Sequence, residues 1–408
     1  MRVIDKRQIS MKEKAGTCCV SGFSFNVSYE WRLIEMKIKG TNLGNWLVLE
    51  KWMEPDMFAG TKAEDETWLN RELSDEELRE RMTRHRDSYI QEKDFRKIAS
   101  LGMNMVRLPV PYFVFGDREP YLGCIQYVDK AFAWAEKYGL KILLDLHTTP
   151  GCQNGYDNGG IVGVCKWHYD PREVKYALHI LERLAVRYGK RKGLFGIEVV
   201  NEPISYLVYR FAPTTGKAAD PKEAEGSGHV SMAFLKKFYL EAYRRLRRVL
   251  PPDKVIVFHD GFRMCLWGNF FQRHQMENVC LDVHPYLWAM EMYIPIHNPF
   301  VYRIYLKLLE LRLWYVRKGI PVLVGEWCIC NHYAVDGPQD RKVKDARFRK
   351  VAKMEMRTFR NCTGWFYWSW KLRSDGLYQG EEAWKESWDL SKAVKNRWMP
   401  GRYRIREE

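Results

Sequence analysis

From Met36 onward the 408-residue chain alternates short apolar runs with longer amphipathic stretches, and it does so eight times. No other feature limits the fold as much. The runs 37–42, 105–108, 141–146, 196–201, 254–259, 279–284, 321–325 and 364–368 read as buried strands. Helical spacing separates them. Phe95, Ile98 and Leu101 share one face of 92–101, which stops before Gly102. Ile125, Val128, Phe132 and Ala135 share one face of 124–138, which stops before Gly139. Glycine just past the last helical residue is a favoured stop. Residues 173–188, 232–250, 301–318 and 342–360 repeat the pattern. Strands alternating with helices give a parallel sheet, and eight of them close into a (β/α)₈ TIM barrel. An open doubly wound sheet is the alternative. It is disfavoured because polar, chemically able residues stand at nearly every strand end, as a barrel mouth requires.

A barrel of about 250 residues can grow past 400 through its βα loops, so the length fits one domain, 36–408, with long βα loops. Residues 1–35 match no element pattern, whereas Met36 leads directly into the first strand. They are expected to be a dispensable extension, or to precede the natural start. The longest irregular stretch, 204–230, follows the strand that carries Glu202 and is expected to form a cleft wall or lid.

The formal charge is +15, with basic runs at 244–248 and 402–406. These read as solvated helix faces rather than a nucleic-acid footprint, because no zinc-finger, RRM or KH pattern accompanies them. The ten cysteines are dispersed, and Cys328-x-Cys330 lacks a second pair at zinc spacing. Free thiols and no metal or other cofactor are expected. No apolar run reaches the ~18 to 20 residues of a membrane span, so no membrane partner is expected. Residues 16–27 make a weak secretory signal without a clear cleavage site, which favours a cytoplasmic location over secretion. Oligomeric state cannot be read from the sequence.

The strand ends supply, in order, Asn42, Arg107, His147, Asn201 with Glu202, His284 with Tyr286, Glu326 and Trp368. Two carboxylates on different strands at one mouth are the minimum equipment for cutting a glycosidic bond. In a double displacement Glu326 would attack the anomeric carbon, while Glu202 would protonate the departing oxygen and then activate water. Arg107 beside Glu326 would keep it ionised. Tyr286 would orient Glu326, Asn201 would bond the sugar 2-hydroxyl, and Trp368 would form the floor.

The motifs RLPV, DLH, NEP, HPY, GEW and FYWSW stand in this order at the strand ends. With them the chain resembles glycoside hydrolase family 5 of clan A over roughly residues 36–402. GTNLGNWLVLEKWMEP and DLHTTPGCQNGYDNGG make it most similar to the exo-β-1,3-glucanase group. That resemblance implies that Glu50 and Asp157 bind the outer hydroxyls of a terminal glucose, with Trp52 lining the same subsite. Such groups would turn the cleft into a pocket and so favour exo attack. Tyr156 fits one side of the aromatic clamp expected for the next sugar. The other side falls on Ala289, with Trp288 as a substitute. Thr148-Thr149-Pro150-Gly151 replaces the group's Gly-Ala-Pro-Gly. The reading is a retaining β-glucosidase acting on β-1,3-glucan or short β-gluco-oligosaccharides. The alternatives are an endo-acting β-1,4-glucanase or another β-glycosidase, glycolipid glycosidases included, and a non-catalytic sugar-binding barrel.

Overall fold

A computed structural model describes residues 37–337, 340–373 and 382–401. The expected extension 1–35, the basic run 402–406, Cys18 and Cys19 lie outside these residues.

Eight parallel strands close a barrel in sequence order: β1 Ile38–Asn42, β2 Met105–Val110, β3 Lys141–Leu146, β4 Leu194–Glu198, β5 Val255–His259, β6 Val279–Val283, β7 Val322–Trp327 and β8 Gly364–Tyr367. β1 pairs with both β2 and β8, which shuts the ring. The expected barrel is therefore the observed one. Ile38, Met105, Leu143, Val255, Val257, Cys280, Leu323 and Phe366 form one buried apolar cluster. Two residues further along the same strands come Arg107, Asp145, His259, Asp282, Gly325 and Trp368. Side chains two apart on a strand share a face, so a polar layer sits directly on the apolar plug. Gly325 is needed here. A Cβ at this position would lie 1.8 Å from the Asp282 carboxylate, which accepts a hydrogen bond from the Gly325 amide.

The outer helices begin at strong caps. The side chains of Ser74, Asp170, Ser231, Asn298 and Asp340 accept backbone N–H bonds at the starts of Asp75–Tyr89, Pro171–Tyr188, Met232–Val249, Pro299–Val316 and Arg341–Phe359. Proline occupies the first turn in two of them, where its missing N–H costs nothing.

Three departures from the sequence reading matter for the site. β4 ends at Glu198 rather than at residue 201, so Asn201 and Glu202 sit in the turn beyond it. Glu326 lies inside β7, where the register with β8 shifts between Val324 and Trp327. Residues 204–230 are not structureless: they contain the short helices Tyr206–Phe211, Thr215–Lys217 and Pro221–Ala224. Bonds from Val230 N to Ile204 O and from Gly228 N to Cys165 O, both 3.0 Å, pin this segment at its base. It is a built wall.

Candidate active site

Arg107 organises the mouth. Its guanidinium, fully buried on β2, donates from Nε to Glu198 (2.7 Å), from Nη1 to Glu326 (2.8 Å) and Asn42 (3.0 Å), and from Nη2 to Asn201 (2.9 Å). Asp145 lies 3.0 Å from Nη2, and Asp282 lies 3.9 Å from Nε. Burial alone would weaken the cation. The charges of Asp145, Glu198 and Glu326 outweigh that and hold Arg107 well above its ordinary value. Burial, in contrast, pushes the Glu198 carboxyl well up, Asp282 and Asp145 add to it, and Arg107 opposes it.

His284, just past β6, joins the two glutamates. Its Nδ1 is 2.7 Å from Glu202 Oε1 and 3.5 Å from Glu326 Oε2. Two contacts to one nitrogen hold these oxygens within about 6.2 Å of each other. The ring's Nε2 faces Asp282 at 3.5 Å. Burial opposes its charge, but Glu326 and Asp282 raise His284 well above the usual imidazole range. Burial also raises Glu202. The hydrogen bond and charge of His284, with Asn158 Nδ2 donating at 3.0 Å, more than reverse this and leave Glu202 below the usual carboxylate range. Glu326 moves the other way: burial lifts it further than His284 and Arg107 lower it. Tyr286 donates to Glu326 Oε2 at 2.7 Å. Glu202 adopts a backbone φ of +44°, a left-handed conformation that costs a side-chain-bearing residue about 1–3 kcal/mol.

His147 bonds Asp145 through Nδ1 and stacks on Trp368, ring centroids 5.6 Å apart at 10°. Asn201 Nδ2 lies 3.4 Å from His147 Nε2. Glu50 accepts from Trp52 Nε1 at 2.9 Å, while its other oxygen, Oε1, is buried without a partner. Burial drives the Glu50 carboxyl well up, and the charges of Asp157, Glu326 and Glu202 drive it further, so these four carboxyls share one electrostatic neighbourhood. Burial pushes Asp157 up to about 6. Trp52, Tyr156 and Asp157 line a cavity of about 430 Å³ whose wall includes neither Glu202 nor Glu326. Hydrogen bonds and ion pairs thus join Arg107, Asn201, Glu202, His284, Tyr286 and Glu326, with His147 next to Asn201 and Trp368 stacked on His147, while Trp52, Tyr156 and Asp157 line a cavity of their own.

Sequence reasoning missed several neighbours. Asp145, Glu198 and Asp282 are internal strand carboxylates that look like ordinary alternation until Arg107 is seen among them. Asn158 follows Asp157 directly and reaches Glu202. Trp384 and Trp388, after β8, pack on Trp52 at 5.9 and 5.3 Å, and Trp388 also meets Tyr286 and Trp288 at 5.3 and 5.9 Å. Trp288 therefore belongs to an aromatic wall, whereas Ala289 adds no ring. Thr148 and Thr149 are buried in loop bonding, to the Tyr112 amide and to Gln153, which accounts for their polarity at positions where Gly-Ala was expected.

Two buried triplets, Glu202–His259–His284 and Glu198–Asp282–His284, bring metal-capable atoms within 4.8 Å of one another. Protein donors already account for their closeness. His284 bonds Glu202, Arg107 bonds Glu198, and His259 Nδ1 accepts from the Gly261 amide at 2.9 Å. The eight described cysteines form no disulfide.

The chain is 29% identical over 409 aligned residues to a probable glucan 1,3-beta-glucosidase A of Emericella nidulans, covering 89% of this chain and 90% of that one. It is 26% identical to glucan 1,3-beta-glucosidase 2 of Candida albicans, covering 90% and 84%. In fold it matches the crystal structure of rutinosidase from Aspergillus niger, with a TM-score of 0.69 and 21% identity over 89% of this chain and 98% of that one. Residues 73–374 match the family model for cellulase, glycosyl hydrolase family 5. A match over that much of the chain, on a closed eight-stranded barrel with paired carboxylates at its mouth, makes this protein a glycoside hydrolase of family 5.

Proposed function

We propose that this enzyme is a retaining, exo-acting β-glucosidase that removes terminal glucose from β-1,3-glucan or short β-gluco-oligosaccharides. The observation that carries the mechanism is His284 Nδ1 bridging Glu202 and Glu326. Their nearest oxygens lie within about 6.2 Å of each other, which supports the close pairing, with carboxyl groups ~5 to 5.5 Å apart, that a retaining enzyme uses. Glu326, held by Arg107 and Tyr286, is the nucleophile. Glu202 is the acid and then the base. His284, one 2.7 Å hydrogen bond away, is placed to pass a proton to Glu202 as the leaving oxygen develops charge. On the acid side turnover falls as Glu326 takes up its proton, above the usual carboxylate range.

Glu50 and Asp157 support the exo reading. A buried carboxylate oxygen without a partner suits a ligand hydroxyl, because leaving it unpaired is costly. The names of the fungal relatives support the β-1,3 linkage.

Proton NMR on laminaritriose, with cellotriose alongside, tests the proposal. Initial release of β-glucose from laminaritriose is expected. Release of α-glucose would refute retention, and mid-chain products or preference for cellotriose would refute the exo β-1,3 assignment. Glu326→Gln should lower turnover by more than about a thousandfold in a protein that still folds, as circular dichroism reads.

A further inference from the structure

We propose that the outward face of the helix Pro299–Val316, with the basic groove beside it, seats this protein on an anionic lipid bilayer surface. The helix is apolar nearly all round. Tyr302, Leu306, Leu309, Leu313 and Val316 pack inward. The exposed side carries Phe300 (66% exposed), Ile304, Leu308, Leu311, Trp314 and Tyr315. A solvated helix would place charged and polar residues there. The other exposed side chains of this helix are Arg303, Lys307 and Arg312, followed by Lys318 just beyond it. None is acidic. The helix's one carboxylate, Glu310, is half-buried and salt-bridged to Lys307 (2.8 Å) and Arg360 (3.3 Å).

The neighbouring helix, Arg341–Phe359, continues the same chemistry. A cavity of about 310 Å³ between the two is lined by Arg303, Lys307, Arg357 and Arg360, with Glu310 the one acid among them. A second, of about 420 Å³, is lined by Arg303, Arg349, Lys350 and Lys353. Large aliphatic and aromatic side chains interleaved with cations, and without exposed acids, make the pattern of a helix that lies in a membrane interface. Aliphatic lysine and arginine stems can bury along the apolar surface while their heads meet lipid phosphates. Charge selects the partner: the surface is cationic and the complementary bilayer is anionic. No described helix is long and apolar enough to cross a membrane, so this face would lie on the bilayer.

Exposed apolar residues also precede the helix: Met292 and Tyr293 at the end of Leu287–Tyr293, and Ile294 and Ile296 in the segment between the two helices. At about 1.5 Å per residue the helix carries the patch about 27 Å down the flank.

Vesicle co-sedimentation of the full chain tests this, independently of catalysis. Wild-type protein should pellet with phosphatidylcholine vesicles that contain phosphatidylserine. It should pellet much less with phosphatidylcholine alone, and binding should fall as salt rises. Ile304→Glu with Leu311→Glu should weaken binding about tenfold or more, since two apolar side chains that would enter the interface are replaced by carboxylates that an anionic surface repels. Arg303→Glu with Lys353→Glu should weaken it by a similar factor. All four residues are exposed, so the thermal melt followed by circular dichroism should not move. Three results would overturn the proposal. The wild type could stay in the supernatant with both vesicles. The Ile304/Leu311 variant could bind vesicles and polyuridylate as tightly as wild type, which would make the patch a polyanion site. Sedimentation velocity could show a dimer that this variant dissolves, which would make a second copy the occupant.

Discussion

Arg107→Met is the sharpest perturbation available. The guanidinium is fully buried, with oxygens of Glu198, Glu326 and Asp145 within 3.0 Å and Asp282 at 3.9 Å. Removing one partner of a buried ion pair typically costs about 3–5 kcal/mol, because a buried charge is left uncompensated. Here three close carboxylates lose the same partner, so about 3 kcal/mol is a floor near neutral pH. That is a large share of the ~5–15 kcal/mol that usually holds a domain folded. The deficit must also depend on pH. Glu198 and Glu326 already stand above the usual carboxylate range, and without Arg107, which lowers both, they rise further. Groups raised in this way contribute stability that is complete below the unfolded pKa and is lost as pH rises through the folded one. The variant should therefore lag the wild type by about 3 kcal/mol or more at about pH 7.5, and by clearly less at about pH 5. Urea unfolding followed by tryptophan fluorescence at both values measures this. Arg107→Lys keeps the charge but loses the fork that reaches four partners, and should fall between the two proteins. A deficit under about 1 kcal/mol for Arg107→Met, or one that does not change with pH, would refute the view that this cation neutralises the barrel's carboxylates.

Tyr286→Phe removes a 2.7 Å hydrogen bond to Glu326. At about 1.5–3 kcal/mol for a bond to a charged group, kcat/KM should fall roughly 10- to 100-fold with folding intact; an unchanged value would remove Tyr286 from the site. Glu202→Ala should retain turnover of a dinitrophenyl β-glucoside, whose leaving group needs no acid, and azide should accelerate it and yield the β-glucosyl azide. Activity lost equally on activated and natural substrates would refute the acid/base assignment. Burial raises Asp65, Asp157 and Asp260 to about 6 and Glu66 to about 7. Their stabilisation is complete below the unfolded carboxylate range and is lost as pH rises through about 6 to 7, so the melting temperature should be higher near pH 5.5 than near pH 8. Asp157→Asn should flatten that slope, and an unchanged slope would show that Asp157 does not titrate there.

The fold was legible because the barrel repeats one sequence device eight times, and each buried parallel strand announces itself as an apolar run. Strand ends were less legible, and the two glutamates show why. A period-two reading of GIEVVNE puts residues 198, 200 and 202 on one face. In the structure the strand stops at Glu198, and a turn with Glu202 at positive φ brings both Asn201 and Glu202 to the mouth. Likewise, Leu323 and Gly325 share the inner face of β7, and strict alternation would send Glu326 outward. The register shift between Val324 and Trp327 turns it in instead. Irregularities of this kind re-aim side chains at barrel rims, and sequence period alone cannot announce them. What survives is the type and order of the strand-end residues.

The carboxylates inside the barrel were illegible for a different reason. Asp145, Glu198 and Asp282 each sit in a strand as an isolated acid among apolar residues, which reads as a tolerated surface group. Their meaning is collective and depends on closure. Only when β2, β3, β4 and β6 surround one axis does a single arginine meet all three. The layer below contributes by being apolar: packed on Leu143, Cys280 and Phe366, the polar layer has no solvent beneath it, and each charge must be answered by a neighbour. That demand is the physical link between fold and site. The same low-dielectric setting that makes Arg107 costly to remove gives the hydrogen bonds of Tyr286 and His284 their leverage on Glu326 and Glu202. A change in the buried layer should therefore reach the glutamates through Arg107 even where it touches neither of them.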